Sequence, residues 1–229
     1  MHDGDFTNII APVKTGATEL AVMMAVAVQY GAEFMGMKAK RTDTLFINCD
    51  GSHKAVERSF ATAINAFGKR DSYMQGPLLM DLSNILLNAE DGKQMEILKR
   101  AIDEKLEEYP YVKFIIIDSV SSLISGSEFD SKAVKPVILE LRNIARKHKV
   151  ALLYTIHTRL PGIEGIKDMI ENPETTGAHY SLSDVSYALW QSRSDSYAFF
   201  LQAKDDMDID MVIKMRRLPG INQVFVPIS

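Results

Sequence analysis

Short apolar blocks rich in β-branched residues alternate with longer runs bounded by caps or glycine from residue 7 to residue 156, and this alternation leaves few folds open. Strand, helix and strand in repeated succession imply right-handed crossovers and a mainly parallel sheet. The plainest block is Val112 to Asp118, VKFIIID, a continuous apolar run of the kind found in strands covered on both faces. Further strands are expected at 7–12 (TNIIAP), 44–49 (TLFINC), 77–82 (PLLMDL) and 150–156 (VALLYTI). The run TELAVMMAVAVQY, Thr18 to Tyr30, is apolar almost all round and ends at Gly31, which predicts a helix buried on most sides. A second helix is expected from His53 to Phe67, closed by Gly68. A long amphipathic one, capped by Asp91 and ended by Pro110, carries Met95, Leu98, Ile102 and Leu106. A fourth runs from Ser131 to Lys147 with Pro136 early in it. Residues 161–180, polar and holding Gly162, Gly165, Pro173 and Gly177, predict a long mobile loop or lid. Three or four alternating strands near 185–190, 197–203, 210–216 and 223–227 then read as antiparallel hairpins on the sheet edge.

Composition removes several classes of function. The 229 residues hold 26 Lys+Arg against 30 Asp+Glu, a net charge of −4, which argues against a wholesale nucleic-acid coat but leaves room for a local basic groove. One cysteine, Cys49, excludes a disulfide framework, and His2, His53, His148, His157 and His179 are too scattered for zinc spacing. No apolar run reaches the roughly 18 residues of a membrane span, and MHDGDFTN lacks the basic and apolar regions of a leader. A soluble cytoplasmic protein of one domain over 1–229 is therefore expected, with no membrane partner.

The motif with most chemical content lies after the first strand. Strand, glycine turn and buried helix frame a phosphate-binding loop, in which backbone N–H groups and a helix N-terminus face an anion. Laying G-x-x-x-x-G-K-[ST] over Ala11 to Thr18 gives A-P-V-K-T-G-A-T, so Gly16 and Thr18 match while Ala11 replaces the first Gly and Ala17 the Lys. A plain strand-turn-helix connection also accounts for this stretch. Much later, FIIID places Asp118 at a strand end, where a nucleotide fold keeps the carboxylate that holds Mg²⁺ water.

With FIIIDSVSSLISG, IIAPVKTGATELAVMMAVAVQYG, LFINCDGS, ALLYTIHTR, GAHYSLSDVSYALWQSR and IKMRRLPG in this order and spacing, the chain resembles the RecA-like ATPases, in particular the DnaB-type and RepA-type hexameric helicases. The resemblance covers almost the whole chain. It implies an α/β fold of three layers, RecA-like, with a mainly parallel central sheet and C-terminal antiparallel hairpins. It also implies ATP and Mg²⁺ as cofactors and a role in DNA replication, recombination or repair. By the same resemblance Pro12, Lys14, Thr15, Gly16, Ala17, Thr18 and Glu19 form the nucleotide loop, Thr18 and Asp118 ligate the metal, and Asp50 falls where a glutamate polarises the attacking water. Lys214 and Arg216 look like the K-x-R pair that reaches a neighbour's γ-phosphate, which implies a homo-oligomeric ring or filament. Beginning a few residues before the first strand, the chain is expected to lack the amino-terminal domain and linker by which DnaB-type rings are held together.

Three departures qualify that picture. Ala17 supplies no charge to the β and γ phosphates, so phosphate affinity and hydrolysis are expected to fall sharply. Lys14 is either a substitute cation or a solvated turn residue. Asp50 is one methylene shorter than glutamate, which can misplace a base by about 1 Å and cost on the order of 10²-fold in rate. The sensor position falls on Ile156 or His157 according to the register of that strand. Ala17 reads equally as an engineered Lys→Ala change or as natural degeneracy.

Single-stranded DNA is a weakly supported partner, because residues 159–180 carry Arg159 and Lys167 against Glu164, Asp168, Glu171 and Glu174. Basic residues elsewhere, Lys38, Lys40 and Arg41, and Arg142, Arg146, Lys147 and Lys149, read first as solvated faces. Met23, Met24, Met35, Met37 and Trp190 read as packing. Ser121, Ser122 and Ser125 lack a G-x-S-x-G elbow, so hydrolase chemistry has little support. The alternative to an ATPase is a non-catalytic RecA-fold scaffold acting through protein partners.

Overall fold

The computed structural model describes residues 4–67, 75–89, 92–124, 130–158, 182–193, 196–203, 211–217 and 225–227. Strands β1 (Phe6–Pro12), β4 (Asp43–Asn48), β5 (Leu78–Asp81), β6 (Val112–Asp118), β7 (Ala151–Thr158) and β8 (Val185–Arg193) form the parallel part of a sheet, ordered β8-β1-β7-β6-β4-β5. Antiparallel strands β9 (Ser196–Ala203), β10 (Met211–Arg217) and β11 (Phe225–Pro227) extend it beyond β8 to nine strands. As expected, the C-terminal strands form antiparallel hairpins on the sheet edge, β8 pairing with β9 and β9 with β10. β8 lies parallel to β1, Thr7 opposite Val185 and Ile10 opposite Ala188, because both of its faces are apolar enough to lie within the layered sheet.

Alternation along each strand builds the three layers. In β6, Phe114 and Ile116 join Ile9, Phe46 and Leu153 in a core under helices α1 (Ala17–Tyr30) and α2 (His53–Ala66). Ile115 and Ile117 join Leu45, Leu152 and Tyr154 on the other face, under α4 (Gln94–Glu108) and α5 (Ser131–His148). Helix α1 is buried most of the way round, as its composition predicts. Gly31 ends it at φ 63°, and a Cβ there would lie 3.1 Å from the Cβ of Arg41. Gly31→Ala is therefore expected to lower stability by about 1–2 kcal/mol, read as a fall of about 3–6 °C in a thermal melt.

Other differences are local. α4 starts after Lys93 rather than at a cap on Asp91, which lies outside the described residues, as does Gly68. The short helix α3 (Ser83–Leu87) and the two-residue strands β2 (Glu33–Phe34) and β3 (Met37–Lys38) were not predicted, being too short to show a period. Met23 and Met35 are buried and Met24 packs against the core, but Met37 is 41% exposed on β3 and is not core filler. The expected loop at 161–180 and the side chain of Trp190 lie outside the described residues. No described helix is long and apolar enough to cross a membrane.

Candidate functional site

β1 occupies the switch point of the sheet: the chain leaves it toward β4 on one side and later crosses from β7 to β8 on the other. In open parallel sheets the crevice outside the carboxyl ends of such strands is where ligands bind. At that end Pro12 is buried, and Val13 and Lys14 are exposed. Lys14 (φ 67°) and Gly16 (φ 99°) both take left-handed backbone, which glycine adopts without Cβ strain. Thr15 is buried and closes the loop, its N–H (3.2 Å) and its hydroxyl (2.7 Å) both donating to the Pro12 carbonyl. Gly16 caps α1, and its carbonyl accepts the first helical bond, from the Leu20 N–H at 3.0 Å. Amides of a first helical turn have no partner inside the helix and carry partial positive charge, so they favour an anion. Glu19 lies in the same turn and opposes one.

Asp118, at the end of β6, is 2% exposed. Its Oδ1 accepts the Thr155 hydroxyl at 2.5 Å, and the Thr18 hydroxyl bonds to the same carboxylate, so β6, β7 and α1 meet on one acidic group. Burial raises its pKa; the hydrogen bonds from Thr155 and Thr18 and the nearby His157 offset this in part, while Asp50 adds to it. The Asp118 carbonyl also accepts the N–H of Cys49 (2.6 Å) and of Asp50 (3.3 Å), tying the exposed Asp50 to the end of β6. Cys49 between them is buried, and burial together with the charges of Asp118, Asp50 and Asp81 pushes its thiol well up, keeping it an unreactive thiol.

Beyond Asp50, Asn48 donates to Asp81 (2.9 Å), which also accepts the Ser83 hydroxyl (2.8 Å) and faces His53 Nδ1 at 3.5 Å. Partial burial of Asp81 works against the hydrogen bonds from Ser83 and Asn48 and the charge of His53, which outweigh it and lower its pKa. This group fixes the rim beside Asp50 and lies apart from the loop on β1. Sequence reasoning had not picked it out.

Register sets which of Ile156 and His157 lies on the side of Asp118. Ile117 pairs with Tyr154, and Ala11 with His157. Tyr154 and Ile156 point into the α4–α5 core, whereas Leu153 points toward α1, so by alternation Thr155 and His157 share the side of Asp118. His157 is only partly buried, and its Nδ1 is a buried atom with no hydrogen-bond partner among the described residues. Thr155 was the missed residue; its signal was a small hydroxyl residue within an apolar strand, in step with Leu153.

Lys214 and Arg216 are on β10, not at the loop. Lys214 is level with Ala198, and Ala198 with Trp190, so the pair sits toward the same sheet edge as Pro12 but three strands from β1, about 14 Å away. Of the basic residues, Arg142 bonds Asp184 (2.7 Å) and the Leu182 carbonyl (3.1 Å), and Lys147 bonds Asp103 (2.9 Å), both structural ties. Lys38, Lys40 and Arg41 are exposed.

A left-handed glycine loop between a switch-point strand and a buried helix, with a buried aspartate at the end of the next strand but one, defines a P-loop nucleotide-binding domain of RecA-like architecture. A family model described as an AAA domain (AAA_25) matches residues 1–162, and the chain belongs to that family. Among curated proteins no match is found.

Proposed function

We propose that residues 1–229 form one RecA-type domain that binds ATP with Mg²⁺ at a boundary between copies of this chain, in a cytoplasmic ring or filament serving DNA replication, recombination or repair, with hydrolysis weak or absent. The observation that carries this reading is the meeting of the Thr18 hydroxyl, the Asp118 carboxylate and the first turn of α1 at one end of the sheet. Two hard oxygens beside a helix N-terminus fit Mg²⁺, which takes one or two protein oxygens and completes its shell with phosphate and water. Thr18 and Asp118 would hold such an ion, which would supply positive charge against the phosphates. Pro12, Thr15 and Gly16 shape the loop, Ala17 and Glu19 follow in the helix, and Lys14 is the one cation of the loop itself.

Asp50 is the residue proposed to orient the attacking water, short of reach by one methylene. His157, facing the same side with a bare Nδ1, takes the sensor role in this reading. Two strands, β9 and β8, separate Lys214 and Arg216 on β10 from the loop after β1 of their own chain, which favours service to a neighbour's site and hence a homo-oligomer. Single-stranded DNA is the weaker part of the proposal. Exposed Lys38, Lys40 and Arg41 are a basic group open to it, and the sequence of residues 159–180 is net acidic.

A non-catalytic scaffold is the second reading, favoured by Ala17 and by Glu19 at the anion end of α1. Titrating a fluorescent ATP analogue with Mg²⁺ into this chain and into Ala17→Lys separates them. Binding that strengthens by about 10-fold or more in the Lys variant supports an ATP site weakened at one position. No binding by either supports the scaffold.

A further inference from the structure

We infer that Thr155 is a positioning residue for Mg²⁺ in the nucleotide site, acting through Asp118. The inference rests on the nucleotide-binding reading above. A carboxylate that holds an ion, directly or through its water, must keep its plane fixed, since Mg²⁺ tolerates little departure from octahedral geometry. Asp118 sits on the last residue of β6, where the strand pairing that would steady its backbone is ending. Its side chain is held from two directions. Thr18 bonds it from α1, but in the reading above the Thr18 hydroxyl is itself an ion ligand and must divide its lone pairs and proton between metal and carboxylate.

Thr155 has no such competing duty. It is fully buried in β7, on the side of the strand that faces α1, and its Oγ1 donates to Asp118 Oδ1 at 2.5 Å. As a β-branched residue in a strand it has a restricted χ1, so the hydroxyl is held in place before any ion arrives. The donated proton occupies one lone pair of Oδ1 and fixes the carboxylate plane, leaving the remaining lone pairs for the ion's water. Neighbours of this kind orient metal ligands, and removing them typically costs about 10-fold to 100-fold in metal affinity.

The test compares Thr155→Val, which keeps the shape and removes the hydroxyl, with Thr155→Ser, which keeps the hydroxyl. Both are made in this chain and in Ala17→Lys, and binding of the fluorescent ATP analogue is measured across a Mg²⁺ titration and again in EDTA. The expected result is that Thr155→Val raises the Mg²⁺ concentration for half-maximal enhancement about 10-fold or more while affinity in EDTA stays within about twofold. Thr155→Ser should lie within about threefold of its parent. Unchanged Mg²⁺ dependence in Thr155→Val overturns the inference and leaves the nucleotide site standing. An equal loss in EDTA also overturns it, since that marks a general packing defect. Absence of any Mg²⁺-dependent binding in both parents overturns the nucleotide reading, and this inference with it.

Discussion

Ala17→Lys combined with Asp50→Glu is expected to hydrolyse ATP at least about 10³-fold faster than the unaltered chain, with most of the gain absent from either single change. The lysine adds a cation beside the loop, and one well-placed charge or donor in a transition state contributes on the order of 10² to 10³ in rate. The glutamate lengthens the side chain that stands on the Asp50 backbone, itself held to β6 by the bond from the Asp50 N–H to the Asp118 carbonyl. A base repositioned by about 1 Å recovers on the order of 10², but only where the phosphate is already held. Asp50→Glu alone should therefore be nearly silent. Ala17 is 3% exposed, so the lysine stem has to leave through the loop. A thermal melt checks that the chain accommodates it, and steady-state phosphate release at several protein concentrations measures the rate. A rate per chain that rises with concentration would support Lys214 and Arg216 acting on a neighbouring copy; a double variant no faster than the unaltered chain would remove hydrolysis from the proposal.

Phe46→Ala is expected to be the most damaging single truncation among the sites discussed. Phe46 is fully buried in β4 and meets the Phe60 ring of α2 nearly edge-on, centroids 5.2 Å apart. Emptying such a site typically costs 3–5 kcal/mol, read as a fall of about 8–15 °C in the melting temperature of a chain of this size. Phe46→Leu, which keeps most of the volume, should lose less than half as much. The contact matters to the site because it seats α2, whose start follows Asp50 by three residues. Denaturant melts of the two variants, with m unchanged, would separate loss of packing from loss of cooperativity.

Much of this architecture was legible because it follows from period. VKFIIID could only be a strand with both faces covered, and Phe114/Ile116 and Ile115/Ile117 do divide between the two cores. Gly31 marked the end of α1, and Gly16 the turn before it. What period cannot give is adjacency between strands. The pairing of β8 with β1 was not legible for that reason: the alternation of β8 suits the hairpin it makes with β9 and says nothing of the strand on its other side. The same lack left Ile156 and His157 undecided and hid Thr155, since Asp118 and Thr155 are brought together by the pairing of β6 with β7. Residues within one loop were found from their spacing; partners supplied by another strand were not.

The place of β1 between β7 and β8 also has a consequence during synthesis. Phe6 pairs with Leu152, so 152 − 6 = 146 residues must follow before the first strand gains that neighbour. At ordinary elongation rates that is a wait of roughly 7–30 s, during which β1 and the apolar α1 have no finished sheet to lie on. The newborn chain must therefore keep its most water-averse segment out of contact with other nascent chains. Its need for a chaperone should be set by that delay, and a circular permutant beginning near β7 should shorten it.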